Sequence, residues 1–196
     1  MHPIIAQLGP VNLYAWGLFV AIGFLVALAI SVRLGKSMKM TADIFVDLVV
    51  VLIVASLIGA RTFYVAQTWS EFAEQPWRIL MIQQGGLVFY GGLIAGFLAF
   101  AWFAKRRGMS MLRLADAVAP GSALGYAIGR IGCFLNGCCF GIETTVPWAV
   151  KFPELPGLRH PTQLYSTGAG LILFAILITI WTRRKAEGQV IFSALI

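Results

Sequence analysis

The sequence predicts an all-α fold, a polytopic bundle of transmembrane helices. It has five full spans, the start of another, and the N-terminus outside. Three observations carry that prediction. Hydrophobic residues make up 59% of the 196-residue chain and charged residues only 12%, about half the charged share of a soluble domain. Charge-free runs cover residues 13–32, 79–104 and 163–182, each long enough to cross roughly 30 Å of hydrocarbon as a helix. Basic residues gather in short stretches at the ends of these runs, as topology requires of a membrane protein.

The first span is expected at about 12–32. Its start carries no basic region and no small-residue cleavage site, so it does not read as a cleavable signal peptide. A short loop from Lys36 to Thr41 leads to span two, about 44–67, which holds Asp47 and Arg61. The polar stretch Thr68 to Arg78, with Pro76, breaks the pattern. Span three covers about 86–104, and the basic loop Lys105 to Arg113 follows. Span four covers about 114–135, with Asp116 near its start and Arg130 near its end. Stabilisation at a helix N-terminus accounts for Asp116. The longest loop, 141–161, contains Pro147, Pro153, Pro156 and Pro161. Span five is about 164–182, and the apolar segment from Gly188 reads as the beginning of a further helix. The 196 residues are expected to form a single integral membrane domain.

Orientation follows from the loops. Arg33, Lys36, Lys39, Lys105, Arg106, Arg107, Arg113, Arg183, Arg184 and Lys185 fall on one side of a five-span arrangement. Arg78, Lys151 and Arg159 fall on the other. The rich side is cytoplasmic by the positive-inside rule, which sends the N-terminus and the 141–161 loop outward. A net charge of +7 is thereby explained without nucleic acid. Trp16, Trp69, Trp77, Trp148 and Trp181 stand near span ends, where interfacial aromatics belong.

Ionisable residues within spans are expensive and mark candidate sites. Arg130 lies in the glycine-rich stretch Gly129 to Gly141. It either snorkels to the lipid headgroups or clamps a phosphate diester with its fork. Arg61 is read first as a partner in a structural ion pair. Arg159-His160-Pro161-Thr162-Gln163-Leu164-Tyr165 places a cation and a titratable imidazole before span five. Gln84 to Gly92 is a further glycine-dense stretch, with Tyr90 inside it. The five-span arrangement sends Arg130, Arg159, His160, Tyr90 and Arg61 toward the outer leaflet, where a lipid phosphate would meet them. Cys133, Cys138 and Cys139 with His160 could compose a Cys₃His set, but the spacing matches no zinc pattern. They are read as small packing residues, and neither metal nor cofactor is expected.

Gly129-Arg130-Ile131-Gly132 with Asn136-Gly137 and Gly141 resembles the signature of bacterial prolipoprotein diacylglyceryl transferases. Arg159 to Tyr165 is similar to a second block of that family, Gly85 to Ile94 to a third, and Gly9-Pro10 through Trp16-Gly17-Leu18 to its first span. The blocks cover nearly the whole chain in order. The resemblance implies transfer of a diacylglyceryl group from phosphatidylglycerol to the lipobox cysteine of a prolipoprotein signal peptide. It implies a site in the inner membrane of a bacterial cell, open toward the outer leaflet. Arg130, Arg159 and Tyr90 would be catalytic. Asn136, Gly141, His160, Gln163, Tyr165, Trp16 and Arg61 would join the two arginines in binding substrate. The chain departs from the family where Tyr90 replaces a common histidine, since a phenol is a poorer base than an imidazole near neutral pH. Cys133, Cys138, Trp16 and Ser166 also replace common family residues. These departures suit a divergent or non-catalytic member that binds or carries anionic phospholipid, which is the alternative function.

Overall fold

The computed structural model describes residues 4–8, 11–153 and 155–194. Gly9 and Pro10, which open one block of the resemblance, lie outside the described residues, as do Leu195 and Ile196. In chain order the elements are strands β1 (Ile4–Leu8) and β2 (Val11–Tyr14), then helices α1 (Ala15–Lys36), α2 (Ala42–Gln67) and α3 (Trp69–Phe72). Two 3-10 turns follow, Pro76–Leu80 and Ile82–Gln84. The remainder comprises α4 (Phe89–Arg106), α5 (Met111–Asn136), β3 (Val150–Lys151), β4 (Leu158–Arg159), α6 (Thr162–Arg183) and α7 (Gln189–Ser193).

The fold is mainly helical, and α1, α2, α5 and α6 are each long and apolar enough to cross a membrane. Their 22 to 26 residues reach roughly 33–39 Å at 1.5 Å per residue. Exposed side chains on the helices include Leu25 (66% exposed), Ile58 (61%), Phe97 (60%) and Ile172 (64%). Large apolar side chains this exposed along each helix suit lipid rather than water as the surrounding solvent. The third expected span is the helix α4, whose 18 residues include Lys105 and Arg106 at its C-terminal end.

Two short antiparallel sheets add to the expected helices. β1 pairs with β2, Ala6 opposite Leu13 and Gln7 opposite Asn12. The first helix therefore starts at Ala15 rather than 12, and it continues to Lys36, past the expected end at 32. Arg33 and Lys36 in its last turn face the negative end of the helix dipole, which favours the extension. Within the 141–161 segment, Val150 pairs with Arg159 and Lys151 with Leu158, and a bridge joins Glu143 to Arg159.

The chain divides into two compact units, Met1–Lys39 with Ala115–Ile196, and Met40–Leu114. In the first, α5 is the enclosed helix: 39% of its apolar window is buried, against 17% for α1 and for α6. Small residues bring the backbones together. A Cβ on Gly23 would meet the Gly125 carbonyl oxygen at 2.7 Å, and a Cβ on Gly170 would meet Ala127 Cβ at 3.0 Å. Ala119 and Ala123 of α5, Leu177 of α6 and Val190 of α7 form one core. Asp116, fully buried, accepts hydrogen bonds from the N–H groups of Gly188 (2.7 Å) and Ile191 (2.9 Å). It stabilises a helix N-terminus, but that of α7 and not of its own helix.

In the second unit α2 packs on α4 through Gly59 and Gly91. A Cβ on Gly91 would meet the Gly59 carbonyl oxygen at 2.5 Å and Phe63 Cβ at 2.6 Å. Asp47 forms an ion pair with Arg107, the C-cap residue of α4.

Candidate functional site

In the first unit, Arg130 sits on the last turns of α5, half-buried. It lines an apolar cavity of about 370 Å³ together with Trp16, Val20 and Phe24 of α1 and Tyr126 and Cys133 of α5. The Nε–H of Arg130 is buried and reaches no acceptor among the described residues. A buried guanidinium donor without a partner costs free energy unless an anion or a polar ligand takes it up. The cavity therefore offers one cationic fork at the edge of an apolar chamber, an arrangement suited to an amphiphile with a negative head.

Asn136 closes α5, and Gly137 at φ 76° turns the chain out of the helix. The N–H of Gly137 donates to Phe134 O (3.1 Å) and that of Cys138 to Cys133 O (3.1 Å). This pair of bonds is a Schellman motif, and a left-handed residue at this position favours glycine. The turn folds segment 138–141 against the start of α6. Gln163 Nε2 donates to Cys138 O at 2.6 Å, Thr162 Oγ1 to Cys139 O at 2.7 Å, and Gly141 N to His160 O at 2.9 Å. Gly141 is tightly enclosed there, since a Cβ would meet His160 Cβ at 2.9 Å.

These contacts fix the segment that carries Arg159. Its backbone belongs to β4, its guanidinium lies 5.4 Å from the Phe140 ring centroid, and its Nη1 makes a long 3.5 Å bond to Gly141 O. Like Arg130, it has a buried Nε–H with no acceptor among the described residues, and so has the buried Gln163 Oε1 no donor. Next to it, Tyr165 Oη lies 2.6 Å from Trp148 Nε1 and 3.0 Å from His160 Nδ1. An indole N–H can only donate, so the Tyr165 oxygen accepts there. The Tyr165 hydroxyl either donates to Nδ1 or accepts from an Nδ1–H, so the contact engages His160 Nδ1 in either tautomer. The Sγ atoms of Cys133, Cys138 and Cys139 all lie within 4.8 Å of one another, and His160 stands outside that group.

The second unit holds Arg61 and Tyr90. Arg61 is 7% exposed, and carbonyls occupy its whole fork. Nε donates to Ile79 O (2.8 Å), Nη1 to Gly85 O (2.7 Å) and Gly86 O (3.0 Å), and Nη2 to Arg78 O (2.6 Å). The rings of Tyr64 and Phe72 flank it at 5.6 and 5.2 Å. Gly85 and Gly86, at φ 87° and 76°, turn their carbonyls toward it. The expected ion pair is replaced by a carbonyl clamp, with no carboxylate partner among the described residues. Tyr90, in the first turn of α4, is 69% exposed, and its ring meets Phe89 edge-on.

Residues 3–196 match the family described as prolipoprotein diacylglyceryl transferase. The chain belongs to that family. Among its relatives, a protein of Trichormus variabilis named phosphatidylglycerol–prolipoprotein diacylglyceryl transferase is 38% identical over 192 residues, covering 94% of this chain and 68% of the relative. Proteins of the same name from Bacillus cereus (37% over 203 residues, 97% and 74%) and Gloeobacter violaceus (35% over 192 residues, 93% and 71%) are similar throughout. In this diacylglyceryl transferase family member, the site residues foreseen from sequence divide between the units. Trp16 joins Arg130 at the cavity, while Gly141, Arg159, His160, Gln163 and Tyr165 meet around segment 138–141. Trp148 was foreseen only as an interfacial aromatic. No spacing in the sequence announces its bond to Tyr165, 17 positions along the chain.

Proposed function

We propose that this chain transfers the diacylglyceryl group of phosphatidylglycerol to the lipobox cysteine thiol of prolipoprotein signal peptides. The relatives' name supplies the donor and acceptor classes. The observation that carries the reading into this chain is the pair of arginines, 130 and 159, each with a buried Nε–H that meets no acceptor among the described residues.

The substrate sulfur, as thiolate, attacks the glyceryl carbon that bears the phosphate. A C–S bond forms and a C–O bond breaks. The thiol proton goes to solvent or to a nearby base, and glycerol phosphate leaves with one more negative charge than the diester carried. Negative charge thus grows on phosphate oxygens as the bond breaks. Two guanidinium forks beside them lower the barrier, because they act most strongly on the charge that develops. The same cations favour the thiolate over the thiol. The apolar cavity under Arg130 suits an acyl chain below a phosphate. Asn136, Gly141, Gln163 and the His160–Tyr165 pair shape the ground around the headgroup, and Trp16 borders the acyl path. Arg61, its fork taken up by carbonyls, braces residues 78–86 rather than holding substrate. Tyr90 stands where relatives often carry a histidine, and we assign it an interfacial or hydrogen-bonding role with the arginines activating the thiol.

We further propose that α4 is a fifth crossing of one bacterial inner-membrane domain spanning the whole chain. The N-terminus and the 141–161 segment face outward, and the active site opens toward the outer leaflet. The ten-to-three division of basic loop residues supports this orientation.

The test is transfer in vitro. Purified protein in phosphatidylglycerol vesicles, given a lipobox peptide, should add one diacylglyceryl mass to the peptide cysteine. A cysteine-to-serine peptide should stay unmodified. Lipid binding with no mass gain on the cysteine peptide would contradict the transferase reading and favour a lipid-binding or carrier protein.

A further inference from the structure

The proposed transfer chemistry gives the cysteine cluster at the end of α5 no role beyond the place of Cys133 in the cavity lining. Cys133 is buried on the last turns of the helix, Cys138 is half-buried, and Cys139 is exposed. The Schellman bond from Cys138 N to Cys133 O folds the second cysteine back over the first. Cys139 then adopts φ 63°, a left-handed conformation rare for a side chain with a Cβ. Its Sγ lies 3.7 Å from that of Cys138, and all three sulfurs fall within 4.8 Å of one another.

We propose that Cys133, Cys138 and Cys139 form a three-thiolate site for a single thiophilic d10 cation, zinc(II) or copper(I). The geometry decides against a simple packing role. A tetrahedral ion with metal–sulfur bonds of about 2.3 Å needs its sulfurs about 3.8 Å apart. The Cys138–Cys139 pair already has that separation, and a contraction of about 1 Å brings the widest pair into range. A disulfide would need sulfurs at about 2.05 Å, a closer approach than even the nearest pair, at 3.7 Å, shows. Binding releases the three thiol protons to solvent as three metal–sulfur bonds form. Three thiolates with a divalent ion carry one net negative charge, and Arg130, one helical turn before Cys133 and lining the same cavity, lies on hand to offset it. Softness of the ligands selects the ion class, since thiolates favour zinc and copper(I) over hard cations. His160 is engaged with Tyr165, so a water or an open position would complete the coordination. The ion would rest on the segment whose carbonyls, Cys138 O and Cys139 O, receive Gln163 and Thr162 of α6. It would clip the end of α5 to the start of α6.

The experiment uses the full chain in detergent, reduced, anaerobic and stripped of metal, with cadmium(II) as the spectroscopic probe. Thiolate-to-cadmium charge-transfer absorbance should rise and saturate at one equivalent. Cys138→Ser and Cys139→Ser should each weaken binding by roughly tenfold or more, with helical circular dichroism unchanged. In the unsubstituted chain, maleimide labelling of the two accessible thiols, Cys138 and Cys139, should be lost when cadmium is bound, a readout that needs no variant. Copper(I) at stoichiometric amounts, or zinc(II) in excess, should displace the cadmium, since a softer ion holds thiolates more tightly. Absence of a saturable band, the same band in a triple serine variant, or displacement by neither ion would overturn the proposal. Lipid transfer plays no part in these readouts, so their failure and the failure of the transferase reading are separable.

Discussion

Replacing Arg61 with lysine keeps the charge and removes the fork. In the structure four N–H···O bonds of 2.6 to 3.0 Å leave this one side chain for the carbonyls of Arg78, Ile79, Gly85 and Gly86. Those carbonyls approach from several directions around a planar group. An ammonium is a compact point with three donors, and it cannot span them, so at least two of the four bonds are lost. A hydrogen bond to a charged group is worth about 1.5–3 kcal/mol. Two such losses come to roughly 3–6 kcal/mol if they add, and neighbouring losses seldom add fully. Taking the lower end, the segment 78–86 should open about a hundredfold more often, since each 1.4 kcal/mol is a factor of ten. The perturbation is local, because α2 and α4 keep their glycine contacts. Hydrogen exchange followed by mass spectrometry on the protein in detergent reads this directly. Amides from Arg78 to Val88 should exchange much faster in Arg61→Lys, while those in the middle of α2 stay protected. Unchanged exchange over 78–88 would refute the carbonyl clamp as what holds this segment.

Asp116→Ala should free α7, because the carboxylate supplies both hydrogen bonds at that helix start, each worth about 1.5–3 kcal/mol; faster exchange at Gly188 and Ile191 and a lower thermal midpoint are expected, and Asp116→Asn, which keeps one acceptor oxygen, should fall between. Tyr90→Phe should retain transfer near neutral pH, if the arginines rather than a phenol generate the thiolate; complete loss of peptide lipidation with folding intact would assign Tyr90 the base. Single cysteines placed in the 141–161 segment of a cysteine-free background should react with an impermeant maleimide in intact cells, and labelling only after permeabilisation would reverse the orientation.

The helices were legible because apolar length is a property of local sequence. Leu13 to Val32 or Gln163 to Thr182 can be recognised without knowing what lies beside them. The end of α5 falls at Asn136, close to the span end expected at 135, and the left-handed Gly137 supplies its physical reason. The short sheets escaped notice because Val11–Tyr14 is apolar enough to pass for the first turn of a helix. Only pairing with Ile4–Leu8 marks it as a strand. Partners distant in sequence were the larger blind spot. Asp116 was rightly valued as a helix-end acid, but its helix lies 72 residues away at Gly188. Arg61 was expected to meet a carboxylate, and it meets main-chain carbonyls that no residue type advertises. Arg130 stands out as an arginine among glycines inside a span, and Arg159 as a cation beside His160 just before span five. Their shared lack of an acceptor at Nε emerged only from the folded chain.

The central claim is that these two arginines hold the phosphate as it leaves. It is tested most directly by single-turnover release of glycerol phosphate from labelled phosphatidylglycerol in the presence of a lipobox peptide. The comparison is between the unsubstituted protein, Arg130→Lys and Arg159→Lys, with lipid binding measured alongside. Each lysine keeps the charge and forfeits one charge-assisted fork bond, worth about 1.5–3 kcal/mol, so release should slow by roughly ten- to a hundredfold. Release by both variants at the unsubstituted rate would contradict the claim.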